Sequence, residues 1–392
     1  MRIASVVGAR PNFIKLAPIH NAIRSFVDHI VIHTGQHYDY TLSEIFFKEF
    51  NLPKPDFNLD VGSATPGFQL GEMIKRLERV FLENKHNIDL VLVYGDTNST
   101  FAGALAAETS GIGVAHVESG LRSFDRRMPE ETNRILTDHI SDYLFAPTQT
   151  AIKNLEREHV SGEVVYTGDI AVEIVKEALE LSSNSLILSN LQLRPQSYIL
   201  FTIHRMENTS SKDTLISIIR ILEVLSQVKT QGEGAEEKTT IVFPIHPRTE
   251  NLLREKNLYN KLKKVKNVKL IQPVGYIDFI KLMQNARKII TDSGGVQKEA
   301  YLLGVPCITI RRNTEWVETV NEGWNVLTDI DTKRVIKLVT EWMPTGPSNR
   351  SSKRASNSIL GPGETSTIIK DFIHTLEGQQ VKRTRVHFGG GN

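Results

Sequence analysis

The stretch RIASVVGARPNFIK, residues 2–15, joins an apolar run to the start of a helix through a glycine. Residues 3–7 have the composition of a short buried strand, Gly8 permits a tight turn, and Pro11 is favoured in the first turn of a helix. Short apolar runs alternate with amphipathic stretches of roughly ten to twenty residues along the whole chain. This alternation predicts βα units, with parallel sheets that carry helices on both faces.

Two halves of the chain repeat this pattern. The candidate strands are residues 3–7, 29–34, 89–94, 114–117, 143–146 and 164–167 in the first half, and residues 198–203, 240–244, 268–271, 288–291 and 307–310 in the second. Between the halves, residues 182–195 (SSNSLILSNLQLRP) have the small polar composition of a linker, and residues 230–238 are predicted to form a surface loop. The sequence therefore predicts two open α/β domains that face each other across a cleft.

Length and composition exclude several classes of protein. Of 392 residues, 40% are apolar and 23% are charged, which is ordinary for a globular protein with a large core. A net charge of +2 gives no electrostatic footprint for nucleic acid, and no window approaches the ~18 apolar residues of a membrane span. The single cysteine, Cys307, is expected to be a buried thiol, and the amino terminus lacks the features of a signal peptide. We therefore expect a cytoplasmic protein that binds neither nucleic acid nor membrane.

Cations follow the first predicted strand. Ligands of open α/β sheets bind outside the carboxyl ends of the strands, so residues at these ends are the candidates for a site. Arg10 and Lys15 lie there, beside a helix amino terminus that attracts anions. This segment predicts an anion site, with a plain βα turn and solvated cations as the alternative.

A second candidate anion site follows the strand at residues 288–291. Ser293, Gly294 and Gly295 precede a helix, and two glycines with a hydroxyl allow backbone N–H groups to approach a phosphate. Glu299 lies one helical turn further on, where it could accept hydrogen bonds from ribose hydroxyls. The alternative is a glycine-rich turn with an exposed glutamate.

Carboxylates follow the middle strands of the first half. Asp96 ends one strand, Glu118 ends the next, and Glu130 and Glu131 come soon after. Neighbouring carboxylates raise each other's proton affinity, which allows a general acid and a general base to coexist at neutral pH. The alternatives are a helix N-cap for Asp96 and, for one of the two glutamates, a first-turn residue favoured by the helix dipole.

Two strands of the second half each end in a histidine that is followed by an arginine. His204 lies in TIHR and His246 in PIHPR, and this pair in one sheet favours diphosphate binding over two structural histidines. The chain has no HExxH motif, Cys/His cluster or DxDxDG loop, so no metal is expected. Gly111 and Gly113 precede a predicted strand, whereas the glycines of a dinucleotide-binding motif follow one. No nicotinamide cofactor is therefore expected either.

Taken in order, these motifs resemble those of the non-hydrolysing UDP-N-acetylglucosamine 2-epimerases over about residues 1–376. The motifs are GARP with Lys15, GDT at 95–97, HVESGLR at 116–122, PEETNR at 129–134 and TDSGGVQKE at 291–299. The resemblance implies a GT-B-like fold of two Rossmann-like domains, usually assembled as a homodimer, with no metal or other cofactor. The implied parts are an N-terminal domain at 1–181, a UDP-binding domain at 196–363, a helix at about 364–377 that packs back on the first domain, and a flexible tail at 378–392.

The resemblance also implies a reaction and the residues that perform it. The reaction is the interconversion of UDP-N-acetylglucosamine and UDP-N-acetylmannosamine for polysaccharide biosynthesis, by elimination of UDP to 2-acetamidoglucal and re-addition. The implied catalytic residues are Asp96, Glu118, Glu130 and His204. The implied UDP contacts are Arg10, Lys15, His246, Ser293, Gly294, Gly295 and Glu299, with the segment that ends at Phe279 near uracil. Which carboxylate is acid and which is base stays open, as does an allosteric site near Gln36 and His37.

Two positions depart from the family pattern. Trp316 replaces an arginine of the run Thr-Glu-Arg-Pro-Glu, and Ser119 stands where alanine is usual. Three alternatives therefore stay open beside the leading one. They are epimerisation of UDP-2,3-diacetamido-2,3-dideoxyglucuronate, a GT-B glycosyltransferase, and a nucleotide-sugar binding protein without catalysis.

Overall fold

The computed structural model describes residues 1–36, 49–50, 52–62, 64–83, 88–231, 236–344 and 359–377. The chain divides into two compact units. The first unit comprises Met1–Ile174 with Ser356–Asn392, and the second comprises Val175–Ala355. No helix in the described ranges is long and apolar enough to cross a membrane.

The first unit is built on a seven-stranded parallel sheet. Its strands are β1 (Arg2–Val7), β2 (Asp28–His33), β3 (Phe57–Asn58), β4 (Leu90–Tyr94), β5 (Gly113–Val117), β6 (Tyr143–Ala146) and β7 (Glu163–Tyr166). They lie in the order β3-β2-β1-β4-β5-β6-β7. From β1 the chain adds strands β2 and β3 on one side of the sheet, whereas β4 to β7 follow on the other side, so the strand order reverses between β1 and β4. A ligand crevice is therefore expected at the carboxyl ends of these two strands.

Helices cover both faces of this sheet. They are α1 (Arg10–Ile23), α2 (Pro66–Glu83), α3 (Asn98–Thr109), α4 (Pro129–Ile140) and α5 (Gln149–Arg157), with α6 (Ala171–Ser182) at the boundary of the unit. The central strands β1, β4, β5 and β6 are buried along nearly their whole length, as in parallel sheets covered on two faces. Helix α2 presents Met73, Leu77 and Phe81 to the core.

The last described helix also belongs to the first unit. It runs from Thr365 to Leu376, is numbered α16 below, and lies against α1. The ring of Phe372 makes edge contacts with Tyr143 and Phe145, at centroid distances of 5.2 and 5.4 Å. Glu173 accepts hydrogen bonds from the backbone and hydroxyl of Ser366 at the amino end of the helix. The helix is thus fastened by aromatic packing and by a carboxylate.

The second unit is built on a six-stranded parallel sheet. Its strands are β8 (Tyr198–Thr202), β11 (Thr240–Pro244), β12 (Val268–Ile271), β13 (Lys288–Thr291), β14 (Cys307–Ile310) and β15 (Asn325–Thr328), in the order β12-β11-β8-β13-β14-β15. Its helices are α7 (Ile187–Asn190), α8 (Met206–Thr209), α9 (Lys212–Leu225), α10 (Pro247–Glu255), α11 (Tyr259–Lys263), α12 (Tyr276–Asn285), α13 (Gly294–Leu302), α14 (Val317–Asn321) and α15 (Thr332–Thr340). The winding reverses between β8 and β13.

Most predicted strands are confirmed, and two predicted connections differ. The segment 182–195 contains the one-turn helix α7, and part of the predicted loop at 230–238 forms strands β9 (Lys229–Gln231) and β10 (Glu236–Lys238), which pair antiparallel. Cys307 is buried as expected, and burial raises the pKa of its thiol to about 12. The predicted tail at 378–392 lies outside the described residues.

Candidate functional site

The turn after β1 is tied to the end of β4. The side-chain oxygen of Asn12 accepts the backbone N–H groups of Gly8 and Ala9, at 3.3 and 3.1 Å, and its amide donates to the carbonyl of Tyr94 at 2.8 Å. A Cβ atom at Gly8 would collide with the side chains packed above it, so glycine is required by close approach. Arg10 begins α1, and its side chain lies outside the described part of the structure.

Asp96 is held by a cation from α4. Its carboxylate accepts Nε and Nη2 of Arg134 at 3.1 and 2.7 Å, and its side chain remains 32% exposed. The N-cap of the following helix is Thr97, whose side chain accepts the N–H of Thr100. The N-cap alternative for Asp96 is therefore wrong, and its partly exposed carboxylate lies just beyond the carboxyl end of β4.

Glu118 and Lys15 form an ion pair at the same crevice. Their side chains are 7% and 12% exposed, and Lys15 Nζ contacts Glu118 Oε2. Gly95 lies directly beneath this pair, because a Cβ atom there would be 2.7 Å from the ammonium and 3.0 Å from the carboxylate. Glu118 has a φ of +71°, a conformation that costs a non-glycine residue ~1–2 kcal/mol and that concentrates at functional sites.

The two glutamates at the start of α4 have different surroundings. Glu131 is buried, and its carboxylate accepts the backbone N–H groups of Ser123 and Phe124 at 2.9 and 2.8 Å and pairs with Arg134. Glu131 is thus the structural member of the pair, as one of them was expected to be. Glu130 lies on the same first turn and is partly exposed.

The start of α13 in the second unit has the geometry of an anion site. Ser293 is the N-cap, and the first backbone N–H groups of a helix have no partner within it. A Cβ atom at Gly294 would collide with the carboxylate of Glu315, whereas one at Gly295 would point into open space. Gly294 therefore allows close packing, and Gly295 leaves the helix start accessible.

Asp292 ties the end of β8 to this helix start. Its fully buried carboxylate accepts the backbone N–H groups of His204, at 3.1 Å, and Arg205, at 2.9 Å, and the amide of Asn208. The imidazole of His204 is 37% exposed and stacks on that of His246, with centroids 5.3 Å apart. The structure thus brings the predicted residues at the ends of β8, β11 and β13 together.

Two arginines and a tryptophan surround Glu315. Its carboxylate lies 2.8 Å from Arg311 Nη2 and 3.6 Å from Arg205 Nη2. Trp316 is buried beneath the start of α13, where the ammonium of Lys298 lies 4.4 Å from the centroid of its indole. The departure at Trp316 is therefore a change in the packing below the helix start.

The remaining predicted residues lie on two neighbouring helices. The hydroxyl of Tyr276 donates to Glu299 Oε1 at 2.9 Å, which joins the start of α12 to the second turn of α13. Phe279 lies one turn further along α12 and is partly exposed. In the described ranges, no group of three or more His, Cys, Asp or Glu side chains is placed to hold a metal ion.

Comparison with known proteins decides the family. The UDP-N-acetylglucosamine 2-epimerase family model matches residues 21–374. The chain belongs to this family. It is 47% identical over 378 residues to a UDP-N-acetylglucosamine 2-epimerase homolog of Methanococcus maripaludis, covering 96% of this chain and all of the relative. It is 39% identical over 381 residues to a UDP-2,3-diacetamido-2,3-dideoxy-D-glucuronate 2-epimerase of Pseudomonas aeruginosa, covering 96% of this chain and all of the relative.

A solved structure supports the same family and the fold. The crystal structure of the Methanocaldococcus jannaschii UDP-GlcNAc 2-epimerase in complex with UDP-GlcNAc and UDP superposes with a TM-score of 0.85. The two chains are 42% identical, and the match covers 96% of this chain and all of that one. This epimerase-family chain therefore has a GT-B-like α/β fold, as the sequence predicted.

Sequence reasoning missed the residues that hold the candidate side chains. Arg134 lies in the PEETNR motif and Asp292 in the TDSGG motif, but their roles become visible only from their contacts with Asp96 and His204. Both are charged residues that the structure buries. A buried charge requires a partner, and the partner here is far away in sequence.

Proposed function

We propose that this protein interconverts UDP-N-acetylglucosamine and UDP-N-acetylmannosamine by epimerisation at C2 of the sugar. The observation that carries the proposal is the gathering of Asp96 and Glu118 at one switch point, each against its own cation. Carboxylates that are held in place in this way can exchange protons with a bound substrate. The relatives from two archaea, one of them solved with UDP-GlcNAc and UDP, support this substrate.

The chemistry explains why both carboxylates and an anion site are needed. A proton at C2 of a sugar is not acidic, so a base removes it only while the C1–O bond to UDP breaks. The electrons of the C–H bond form the C1–C2 double bond of 2-acetamidoglucal, and those of the C1–O bond leave with UDP. A UDP oxygen then attacks C1, and a proton is delivered to the opposite face of C2. Asp96, Glu118 and Glu130 supply the proton-transfer groups in this proposal.

The second unit stabilises the leaving group in this proposal. The diphosphate gains negative charge as the C1–O bond breaks, and fixed N–H dipoles and cations lower the energy of that state. The start of α13, with Ser293, Gly294 and Gly295, offers such dipoles, and the imidazole of His204 lies on the neighbouring loop. A helix amino terminus attracts anions because its dipole and its unpaired N–H groups act together.

The other UDP contacts follow from the same placement. Glu299 would accept the ribose hydroxyls, and the segment that ends at Phe279 would lie along uracil. His246, which stacks on His204, would extend the diphosphate site. Arg10 and Lys15 are proposed to act from the first unit, with Lys15 keeping its pairing to Glu118.

Proton NMR in D2O tests the reaction and the substrate together. UDP-N-acetylglucosamine incubated with the protein, without metal or nicotinamide, should lose its C2 proton signal while the anomeric signal of UDP-N-acetylmannosamine appears. No acceptor should be needed and no net UDP should accumulate, which separates the epimerase from a glycosyltransferase. An unchanged spectrum from a protein that binds UDP would overturn the proposal.

One alternative substrate is supported by a specific comparison. The Pseudomonas relative bears the name of a diacetamido-glucuronate epimerase and covers the same share of the chain, at 39% identity against 47%. The same NMR assay with that nucleotide sugar decides between them by the ratio of kcat/KM. UDP-N-acetylglucosamine is expected to be the better substrate.

The proposal extends to the state of the enzyme in the cell. We place a homodimer in the cytoplasm, where it would supply UDP-N-acetylmannosamine to polysaccharide synthesis. Light scattering on the purified chain tests the assembly. A monomer with full turnover would remove the dimer from the proposal and leave the reaction intact.

A further inference from the structure

A fully buried histidine connects two segments of the first unit that carry candidate catalytic residues. His116 lies on β5, and both its side chain and that of Asp138 are 0% exposed. Its Nδ1 is 2.7 Å from Asp138 Oδ1, and its Nε2 is 2.7 Å from the backbone oxygen of Gly95. A carbonyl oxygen can only accept a hydrogen bond, so Nε2 carries a proton.

The surroundings of Asp138 indicate that Nδ1 carries a proton as well. Oδ2 of Asp138 accepts the backbone N–H of Gly120 at 3.0 Å and lies 2.7 Å from Arg122 Nη1. Burial alone would raise the pKa of Asp138, but His116 and Arg122 outweigh it and hold that pKa below its ordinary value. An ionised Asp138 can only accept hydrogen bonds, so Nδ1 of His116 is the donor to Oδ1.

Charged pairs flank the contact between His116 and Asp138. Arg122 extends from Asp138 to a bidentate contact with Glu158, at 2.8 and 2.6 Å. On the other side, the Lys15–Glu118 pair lies against Gly95. Asp138 therefore contacts both His116 and Arg122, and Arg122 also pairs with Glu158.

We propose that His116 is a positioning residue that fixes two of the reacting carboxylates of the first unit, Asp96 and Glu118. Through Nε2 it holds the carbonyl of Gly95, the residue before Asp96. Through Asp138 it holds the N–H of Gly120, two residues after Glu118. The role rests on the proposed function, because it is there that Asp96 and Glu118 act on the substrate.

The backbone shows why such a clamp is needed. Gly95, Glu118 and Gly120 have φ angles of +69°, +71° and +78°, so the two segments leave their strands through left-handed conformations. Conformations of this kind persist only where the surroundings hold them. Misplacing a reacting group by about 1 Å can cost ~100-fold in rate. Loss of the clamp should therefore lower kcat much more than it changes KM.

Two amide substitutions each retain one of the two hydrogen bonds of the His116 ring. In His116→Asn the amide nitrogen occupies the position of Nδ1, so the bond to Asp138 is kept and that to Gly95 is lost. In His116→Gln the amide nitrogen occupies the position of Nε2, so the bond to Gly95 is kept. Both variants should lower kcat with KM within about threefold, and the Asn variant should fall ~10- to 100-fold below the Gln variant.

A structural role would give a different pattern. Both variants would then lose thermal stability while the folded fraction kept the native kcat, and that result would overturn the proposal.

Nitrogen NMR of the full chain with 15N-labelled histidine tests the hydrogen bond from His116 to Gly95 without substrate. The signal absent from the His116→Asn spectrum should show a proton on Nε2, the nitrogen that donates to the Gly95 carbonyl. An unprotonated Nε2 in the native spectrum would overturn the inference. Because no turnover is measured, this failure is distinguishable from a failure of the proposed epimerase reaction.

Discussion

The two switch points use carboxylates in opposite ways. In the first unit, Asp96 and Glu118 are each paired with the side chain of a cation and lie at the crevice. In the second unit, the carboxylate of Asp292 is occupied by backbone N–H groups, while the free end of α13 presents further N–H groups. The first arrangement suits proton exchange, and the second suits a bound anion. The two units share an α/β architecture, and the residues that follow their strands give each unit a different chemistry.

The largest expected effect is a separation of catalysis from binding. Glu118→Gln keeps the shape of the side chain and removes its proton affinity, so kcat should fall by ~10²–10⁴-fold. The dissociation constant for UDP, measured by titration calorimetry, should change less than about threefold. Asp96→Asn should behave in the same way, because its carboxylate also belongs to the first unit.

A matched substitution in the second unit should give the reverse result. Glu299→Ala removes the proposed ribose acceptor and should weaken UDP binding by ~10-fold or more, the usual value of a hydrogen bond to a charged group. Its control is Tyr276→Phe, which removes only the hydroxyl that donates to Glu299. If Glu118→Gln weakened UDP binding as much as it lowered kcat, the two units would not have separate roles.

The fold was predictable from the sequence because it depends on local pattern. Buried parallel strands such as β11 and β13 are continuous apolar runs, and their boundaries were predicted to the residue. The two-residue strand β3 and the strand β15 (Asn325–Thr328) were missed. Their pairing depends on neighbouring strands, which composition does not report.

The candidate site was predictable in part, for a related reason. Residues at the carboxyl ends of strands can be found from the strands, and Asp96, Glu118 and His204 were found in that way. Arg134, the partner of Asp96, could not be found in this way, because it comes from helix α4 and reaches the site only through packing. The sequence also could not show that Thr97, and not Asp96, caps the following helix. The structure shows it, because the Thr97 side chain accepts the N–H of Thr100.

A smaller effect should distinguish the units on acidification. In the first unit, Nδ1 of His20 lies 2.9 Å from Nδ1 of His29, so one nitrogen must donate and the other must accept. Burial, with a contribution from His20, lowers the pKa of His29 to about 3. Burial and the charge of Arg24 lower the pKa of His20, against an opposing effect of Asp56. Both rings are therefore neutral in the folded protein at neutral pH.

The sign of the pH dependence follows from these directions. Below pH 6.5 the unfolded chain binds a proton at His29 that the folded chain does not, so stability is lost as the pH falls. The loss should reach about 2 kcal/mol by pH 5. Hydrogen exchange on the full chain should show β1 and β2 losing protection before β8 and β13. His29→Gln, which does not titrate, should reduce the difference, and equal loss in both units would contradict this explanation.

The smallest expected effect concerns Ser119, the departure from the family pattern in the first unit. Its side chain is fully buried, and its hydroxyl oxygen has no hydrogen-bond partner among the described residues. Its backbone N–H donates to the carbonyl of Phe145 at 3.1 Å, and alanine would keep that bond. Ser119→Ala removes an unsatisfied polar group at little cost in packing. It should raise the free energy of unfolding by ~1 kcal/mol, measured by urea denaturation, with kcat unchanged.

Ser123→Ala is the matched control for this change. The hydroxyl of Ser123 is also buried but donates to Glu131 Oε2 at 3.0 Å, so its removal should destabilise the fold by ~1 kcal/mol. Opposite signs for the two variants would show that the Ser119 hydroxyl serves no contact within the folded chain. If Ser119→Ala instead lowered kcat/KM for one nucleotide sugar more than for the other, the hydroxyl would contact substrate. In that case the first unit would take part in choosing the sugar as well as in moving its proton.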